Sequence, residues 1–265
     1  MFELFPIRMR EKLIKKLQYS LGIGSGSFVN DSGEEKVIKI ASSTFTPQNA
    51  PLYIFDVGAN VGKYTSLCLE HLNGGGASNT QIHCFEPSQH TFNILQNTHS
   101  NNPIVHLNNC GLGANEQTMT LYSDGPASGL ASLTKRRLTH HNIDFSQSEQ
   151  VRIITLDNYC ANAHIPHIHL LKVDVEGHEL DVFNGALGMF EDDKIDMVTF
   201  EFGGCNIDTR TYFQDFWYFF KTYNMNIYRI LPNQRLYHIT SYNESREQFD
   251  TTNYVAISTK YGIFK

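Results

Sequence analysis

The sequence predicts an α/β fold in which a mostly parallel sheet is covered by helices on both faces. From residue 52 onward, short apolar runs alternate with helical patterns, and the first run ends in a glycine-containing turn that opens a helix. Parallel strands need such helical crossovers between them. The predicted strands are 52–57, 81–86, 103–109, 117–122, 151–156, 168–175, 195–202, 225–231 and 254–258, and the predicted helices are 61–72, 88–98, 179–190 and 211–222.

Length and composition indicate one folded domain with an appendage. The chain has 265 residues, of which 41% are hydrophobic and 18% charged, enough apolar material for a large core. We predict an α/β domain over 51–265, preceded over 1–50 by an N-terminal helix and an irregular lead-in with a strand-like stretch at 36–40. The net charge of −6 and thinly spread cations argue against nucleic-acid binding. Five widely separated cysteines without a C-x-x-C pair favour a reducing, cytoplasmic setting over a disulfide framework or zinc ribbon.

The first twenty residues combine five cations and two acids with recurring apolar residues. They contain neither the long apolar run of a spanning helix nor the apolar core of a secretory signal. Two interpretations stay open for this segment. It is either a helix packed on the domain or a basic amphipathic helix that rests on an anionic membrane surface.

The first functional motif is the turn Asp56-Val57-Gly58-Ala59-Asn60-Val61-Gly62, placed between a strand and a helix. Gly58 and Gly62 are expected to let a ligand approach backbone N–H groups at the helix start. The spacing fits neither a Walker A loop nor the dinucleotide fingerprint, because three residues separate the glycines and position 60 is Asn. The motif therefore favours an uncharged or cationic nucleoside over a phosphate.

Glu86 ends the next predicted strand, 24 residues beyond Gly62, and Pro87 follows it. An acidic residue at this point of an open α/β sheet can accept hydrogen bonds from both hydroxyls of a ribose. The alternative is a residue that only ends the strand. Beside the glycine turn, we interpret Glu86 as the ribose-binding residue.

Polar groups cluster on the predicted strand 168–175. Side-chain alternation would point Lys172, Asp174 and Glu176 to one side, and Glu201 would end a neighbouring strand at the same sheet edge. Burying three ionisable groups is costly unless they have partners, so a functional role is favoured. An ion pair that only stiffens the sheet is the alternative.

These motifs together resemble the FkbM-like family of S-adenosylmethionine-dependent methyltransferases. The resemblance rests on residues 55–62, Phe85-Glu86-Pro87-Ser88, Thr155-Leu156-Asp157, residues 171–179 and Phe200-Glu201-Phe202, in the family's order, and covers about 52–231. It implies a class I methyltransferase (Rossmann-like) sheet of seven strands with the last antiparallel, and S-adenosylmethionine as donor. The implied donor-binding residues are Asp56, Gly58, Ala59, Asn60, Gly62, Glu86, Pro87, Asn109, Cys110 and Gly111, the last three near adenine, where the acidic residue of many such enzymes is missing.

The family is similar to sugar O-methyltransferases, which implies a saccharide or glycoside acceptor. Asp174 would accept or orient the hydroxyl proton, Lys172 would tune its charge, and Glu201 would hold a second hydroxyl, while His178 is a competing base. A Mg²⁺ ion held by Asp174 and Glu201 stays open, because both offer hard oxygen ligands. A donor-binding scaffold without turnover and a nicotinamide-dependent oxidoreductase are the alternative functions.

Three further residues are candidates for substrate binding. Ser128 lies in a loop, 128–133, that loosely resembles a family lid, and Glu176 follows Asp174. Phe213, Phe216 and Phe220 form a helical stripe typical of a core, and Trp217 lies off that stripe, where its ring could stack on a sugar. His164, His167 and His169 are interpreted as a turn and strand start rather than a metal site.

Overall fold

The structure is a computed structural model that describes residues 6–26, 33–45, 51–72 and 79–264. Its helices are α1 (Ile7–Ser20), α2 (Glu34–Thr44), α3 (Lys63–Leu72), α4 (Gln89–His99), α5 (Leu156–Asn162), α6 (Glu179–Asn184), α7 (Leu187–Glu191), α8 (Gly204–Thr209) and α9 (Phe213–Thr222). Its strands are β1 (Leu52–Val57), β2 (Thr80–Phe85), β3 (Val105–Asn108), β4 (Gly111–Leu112), β5 (Gln117–Ser123), β6 (Gln147–Ile154), β7 (Leu170–Val173), β8 (Met197–Phe202), β9 (Met225–Ile230), β10 (Leu236–Ile239) and β11 (Thr252–Ser258).

The main sheet has the order β10-β9-β11-β8-β7-β1-β2-β3. Strands β3, β2, β1, β7 and β8 pair in parallel, and β11 runs antiparallel between β8 and β9. This arrangement confirms the predicted α/β class and the antiparallel last strand. The sheet has one strand more than expected, because β10 folds back on β9 through a tight turn in which Leu231 N–H donates to the Arg235 carbonyl at 2.9 Å.

The strands at the centre of the sheet are apolar because both of their faces are covered. Every residue of β1 and of β7 is buried, and the buried side chains form two large clusters. One cluster contains α9 with Phe183 and Phe190, and the other contains α2 and α3.

The chain winds from β1 outward to β3 and then returns to β7 on the other side of β1. The strand order therefore reverses between β1 and β7, the point at which open α/β sheets bind ligands.

A smaller sheet of β4, β6 and β5 lies after β3 in the chain. Between β5 and β6 runs a long connection, residues 124–146, which we call the cover loop. It contains a short 3₁₀ turn at Thr139–His141. Ser132 fixes the loop to the end of β5 by exchanging two backbone hydrogen bonds with Tyr122.

Two predictions of secondary structure were wrong. The stretch 36–40 is part of helix α2, because Val37, Ile38 and Ala41 are buried together on one helical face rather than alternating. The predicted helix 179–190 is two helices, α6 and α7, interrupted at Gly185. A Cβ there would lie 2.1 Å from the Gly113 carbonyl oxygen. Residues 27–32 and 46–50 of the predicted lead-in lie outside the described residues.

Within the described ranges, no helix combines the length and the apolar character needed to cross a membrane.

Candidate active site

A cavity of about 860 Å³ opens at the carboxyl edge of the main sheet, beside the point where the strand order reverses. Its floor is formed by the residues that end or follow β1, β2, β7 and β8, and the cover loop lines another side. Cavities at this position of an open α/β sheet are the usual ligand sites. Of the residues predicted for the site, those that line this cavity are Gly58, Ala59, Asn60, Glu86, Pro87, Gly111, Ser128, Lys172, Asp174, Glu176, His178 and Glu201.

The two glycines of the first motif lie where parts of the chain approach each other closely. Both have positive φ angles, +78° at Gly58 and +86° at Gly62. A Cβ on Gly58 would lie 1.9 Å from the carbonyl oxygen of Asp174, and one on Gly62 would lie 2.6 Å from Nε2 of His99. Gly62 does not line the cavity. This corrects the expectation that it makes room for a ligand.

Asn60 connects the glycine turn by hydrogen bonds to Glu86, which follows β2, and to the cover loop. Its backbone has a φ of 49°, in the left-handed region that Asn adopts more readily than most residues. Its N–H donates to Oε2 of Glu86 at 2.9 Å, and its side-chain amide donates to the Ser128 carbonyl at 3.1 Å. Asn60 therefore fixes both the floor and the cover of the cavity.

Glu86 is held in place by two backbone donors. Oε2 accepts from Asn60 N–H, and Oε1 accepts from Ser88 N–H at 2.9 Å. Burial raises the pKa of Glu86 to about 7, although both hydrogen bonds act in the opposite direction. A carboxylate has about four acceptor positions, so two remain for a ligand in the cavity.

Asp56 does not line the cavity, which corrects its predicted contact with the donor. It is fully buried, accepts a hydrogen bond from the Thr65 hydroxyl at 2.7 Å, and lies 3.2 Å from Nζ of Lys172. Lys172 also donates to the Gly58 carbonyl at 3.0 Å. Burial alone would lower the pKa of Lys172, but the carboxylates of Asp56 and Asp174 outweigh it and raise that pKa. Lys172 is therefore a fixed, largely buried cation at the floor of the cavity.

Asp174 is the partner of Lys172 that a ligand can reach. Its Oδ2 lies 3.5 Å from Nζ of Lys172, and 45% of its side chain is exposed, whereas Asp56 is fully buried. It stands one residue beyond the end of β7. A carboxylate in that position, open to the cavity and beside a fixed cation, can accept or orient a proton.

Burial raises the pKa of two further carboxyl groups beside Asp174. Burial and the Asp174 charge raise the pKa of Glu176 to about 8, although Arg136, which pairs with it at 2.5 Å, acts in the opposite direction. Burial, together with Asp174 and Glu176, raises the pKa of Glu201 well above its usual range. The Glu176 backbone has a φ of 54°, so strand alternation does not extend to it. The raised pKa favours protonation of Glu201, and in its protonated form this carboxyl donates a hydrogen bond as well as accepting one.

The cover loop is bonded to the segment that follows β7. The Ser132 hydroxyl donates to the Glu176 carbonyl at 2.8 Å, and the Thr134 hydroxyl lies 3.0 Å from Nε2 of His178. Nδ1 of His178 lies 2.7 Å from Asp181. Both ring nitrogens of His178 thus have partners within the protein, which makes it a weaker candidate than Asp174 for the base.

The predicted adenine turn is divided between two places. Gly111 lines the main cavity, whereas Asn109 and Cys110 line a second cavity of about 490 Å³ and not the main one. The Asn109 amide donates to the carbonyls of Glu86 and Pro87 at 3.0 and 3.2 Å. This corrects the predicted direct role of Asn109 and Cys110, because Asn109 positions the chain that carries Glu86.

Trp217 was predicted to contact substrate, and this was wrong. Its side chain is buried in the core cluster with Phe213, Phe216 and Phe220, and it does not line the cavity. These four residues occupy one broad helical face of α9, at the spacing i, i+3, i+4 and i+7.

In the part of the chain that the structure describes, no third ligand-type side chain joins Asp174 and Glu201, the two residues predicted to hold Mg²⁺. Within the described ranges, the one group of three or more ligand-type side chains close enough to share an ion is His167, His169 and Asp196, away from the cavity. There, Nδ1 of His169 accepts the Tyr53 N–H, and Asp196 is contacted at 2.9 Å by both Lys260 and Tyr261. Asp196 therefore already has protein partners on this group of side chains.

Three residues at or beside the cavity were not predicted from the sequence: Arg136, Asp208 and Thr134. Arg136 lines the cavity, is largely buried, and pairs with Glu176 and, at 3.6 Å, with Asp208. The run Lys135-Arg136-Arg137 in a long polar loop was the available signal. Its pairing depends on where the loop folds, which local sequence does not show.

Comparison with known proteins decides the family. A model described as the methyltransferase FkbM domain matches residues 56–238. The chain belongs to the FkbM methyltransferase family. The match confirms the resemblance inferred from the motifs. The matched range also contains the cavity-lining residues that end or follow β1, β2, β7 and β8.

Two relatives are similar at low identity. The hexuronic acid methyltransferase AglP of Haloferax volcanii is 24% identical over 155 residues, which cover 58% of this chain and 56% of AglP. Methyltransferase 1 of Beauveria bassiana is 25% identical over 148 residues, covering 50% of this chain and 57% of that protein. This FkbM-family chain thus spans somewhat more than half the length of these relatives. A solved structure of an S-adenosylmethionine-dependent methyltransferase from Agrobacterium tumefaciens is 8% identical, with a TM-score of 0.44, over 88% of this chain and 63% of that one.

Proposed function

We propose that this protein is an S-adenosylmethionine-dependent O-methyltransferase that methylates a sugar hydroxyl. The observation that carries the proposal is that Glu86 and Asp174, one suited to a ribose and one to an acceptor proton, line the same cavity where the strand order reverses. Membership of the FkbM methyltransferase family supports methyl transfer as the reaction class.

The residues of the cavity fit the proposed donor. Glu86 would accept hydrogen bonds from the ribose hydroxyls through the acceptor positions that Asn60 and Ser88 leave open. The apolar side chains of Leu112, Leu121 and Ile153 line the cavity and would pack against a base. Backbone groups of Gly58 and Ala59 lie where β1 ends and would face the amino-acid part of the donor.

S-adenosylmethionine would supply the methyl group and leave as the neutral thioether S-adenosylhomocysteine, while the protein positions the acceptor hydroxyl and accepts its proton. Asp174 would accept the hydroxyl proton, because its carboxylate is open to the cavity. Lys172, 3.5 Å from Oδ2 of Asp174, would hold this carboxylate in position. Alignment of the acceptor can lower the barrier by several kcal/mol, up to about 7 to 11 in well-oriented reactions.

A sugar acceptor is favoured by the other polar groups around Asp174. Glu201 lines the cavity, and its raised pKa favours the protonated form, which would donate to one hydroxyl oxygen and accept from another, a pattern that suits a polyol. The name of the relative AglP, a hexuronic acid methyltransferase, supports a saccharide as the acceptor class.

The experiment is incubation of the purified protein with donor carrying a labelled methyl group and a panel of neutral, deoxy and uronic-acid glycans. We expect one class of glycan to acquire label that resists mild alkali, as a methyl ether does. Alkali-labile label would indicate a carboxyl acceptor and contradict hydroxyl methylation. Donor binding without transfer to any glycan would favour the scaffold alternative.

A further inference from the structure

Helix α1 has no apolar contact that would bury it against the described part of the chain. None of its fourteen residues is buried, and Ile7, Leu13, Ile14 and Leu17 are 42 to 66% exposed. An ordinary surface helix buries its apolar stripe against a core. Within the described residues nothing covers this exposed stripe, which favours an apolar partner outside them over packing on the domain.

Four of the five cations of α1 lie on the face opposite that stripe, and the fifth, Arg10, lies within the stripe. At 100° per residue, Ile7, Leu13, Ile14 and Leu17 occupy an arc of about 120°. The cations of the opposite face, Arg8, Lys12, Lys15 and Lys16, occupy an arc of about 100°. Glu11 is the one acidic residue of the helix.

This pattern indicates the nature of the partner. A helix with an apolar stripe, a strongly cationic opposite face and low overall hydrophobicity lies in the interface of an anionic bilayer, with its apolar stripe among the acyl chains. Lysine and arginine stems can extend along the helix so that their charges reach the headgroups. The cations are concentrated in α1, although the whole chain carries a net charge of −6, so the attraction to anionic lipid is local to this helix.

The helix is joined to the rim of the cavity. The Gln18 amide donates to the Gln248 side chain at 3.2 Å, and the next three residues, Phe249 to Thr251, line the cavity. Gly26, which follows α1, lines it as well, and Ile207, another lining residue, is 60% exposed. A surface that holds α1 would therefore lie near these cavity-lining residues.

We propose that α1 is a membrane-docking element that binds the surface of an anionic lipid bilayer through Ile7, Leu13, Ile14 and Leu17, with Arg8, Lys12, Lys15 and Lys16 contacting the headgroups. The docking does not depend on the methyl-transfer reaction, so the two proposals can fail separately.

The test is flotation of the full chain with vesicles of phosphatidylcholine alone or mixed with phosphatidylglycerol, at low and high salt. We expect binding to the mixed vesicles only, and weaker binding at high salt, because salt screens headgroup attraction. In Leu13→Ser/Leu17→Ser, and separately in Lys12→Glu/Lys15→Glu, we expect binding to fall by more than about tenfold. The matched control is Ile263→Ser, since Ile263 is 66% exposed, as Ile7 is, but lies outside α1; it should bind as the wild type does.

Thermal unfolding of each variant separates loss of binding from loss of fold, because α1 side chains are exposed and their substitution should leave the domain's unfolding temperature unchanged. The proposal is overturned if wild-type protein ignores the mixed vesicles or if both α1 variants still float with them. It is also overturned if the wild-type protein forms oligomers in the absence of lipid and the Leu13→Ser/Leu17→Ser variant is monomeric. A second copy of the chain would then be the partner of the apolar stripe.

Discussion

The ammonium group of Lys172 lies 3.2 Å from the carboxylate of Asp56, and both side chains are buried, with Lys172 at the floor of the cavity and Asp56 behind it. This pair joins β7 to β1, the two strands between which the strand order reverses. Lys172 also donates to the Gly58 carbonyl. One buried cation therefore holds together the strand ends that carry the glycine turn and Asp174.

Replacing Lys172 with Met should destabilise the protein strongly. The change leaves the Asp56 charge buried without its cation, which costs about 3 to 5 kcal/mol when one partner of a buried pair is removed. The free energy of unfolding, measured with urea, checks this. The double variant Lys172→Met/Asp56→Asn should recover part of the loss, because the uncompensated charge is gone.

The control for this prediction is Lys194→Met. Lys194 pairs with Asp192 at 2.6 Å on the surface, and exposed ion pairs add little stability. Equal stability losses in the Lys172 and Lys194 variants would show that the buried pair does not hold the strands.

Asp174→Asn should slow methyl transfer about 10²- to 10⁴-fold, the usual contribution of a positioned base. Donor affinity should stay within a few fold, because Asp174 is assigned to the acceptor proton. Single-turnover rates and calorimetric titration with S-adenosylhomocysteine measure the two quantities. Asp192→Asn is the matched control, since Asp192 also pairs with a lysine two residues away but lies outside the cavity. An Asp174→Asn enzyme with wild-type rates would remove Asp174 from the role of base.

Donor affinity should rise with pH through the titration of Glu86. The pKa of this carboxyl is raised to about 7, so it is largely protonated at pH 6 and ionised at pH 8. The ionised form accepts from both ribose hydroxyls, and binding therefore favours it. We expect affinity for S-adenosylhomocysteine to increase up to about tenfold between roughly pH 6 and 8, as the ionised fraction does.

Glu86→Gln should bind donor about 10- to 100-fold more weakly and without this pH dependence, since a hydrogen bond to a charged group contributes about 1.5 to 3 kcal/mol. Glu149→Gln controls for the loss of a backbone contact, because Glu149 accepts the Gln89 N–H at 3.1 Å outside the cavity. A pH profile that persists in Glu86→Gln would assign the titration to another group.

Gly58→Ala should disrupt the glycine turn. The added Cβ would meet the Asp174 carbonyl oxygen at 1.9 Å, and alanine at a φ of +78° is strained by about 1 to 2 kcal/mol even without that clash. We expect a lower unfolding temperature and loss of donor binding. Gly125→Ala has nothing within 4 Å of its Cβ and should behave as wild type in both measurements. If Gly58→Ala also matched wild type, the close approach of β1 to the end of β7 would be unimportant.

The sequence predicted those parts of the fold that depend on local pattern. Apolar runs predicted β1, β2, β7 and β8, and the polar residues at their carboxyl ends do line one cavity. The stretch 36–40 failed because Val37 and Ile38 resemble a strand in a short window. Only the burial of Ala41 beside them shows the helical face.

The roles of individual site residues were harder to predict because they depend on contacts between distant parts of the chain. Gly62 packs against His99, and Asp56 pairs with Lys172. Neither partner belongs to the motif 56–62, so the motif alone does not show these contacts. Arg136 reaches Glu176 only because the cover loop folds across the cavity. Residue types at strand ends predicted the chemistry available, but not which groups are buried beneath the cavity and which face it.

The most direct measurement is a crystal structure of the protein with S-adenosylhomocysteine. The account predicts the nucleoside in the 860 Å³ cavity, with both ribose hydroxyls within hydrogen-bonding distance of Glu86 and the sulfur facing Asp174. A nucleoside bound elsewhere, or a cavity that stays empty at saturating ligand, would contradict it.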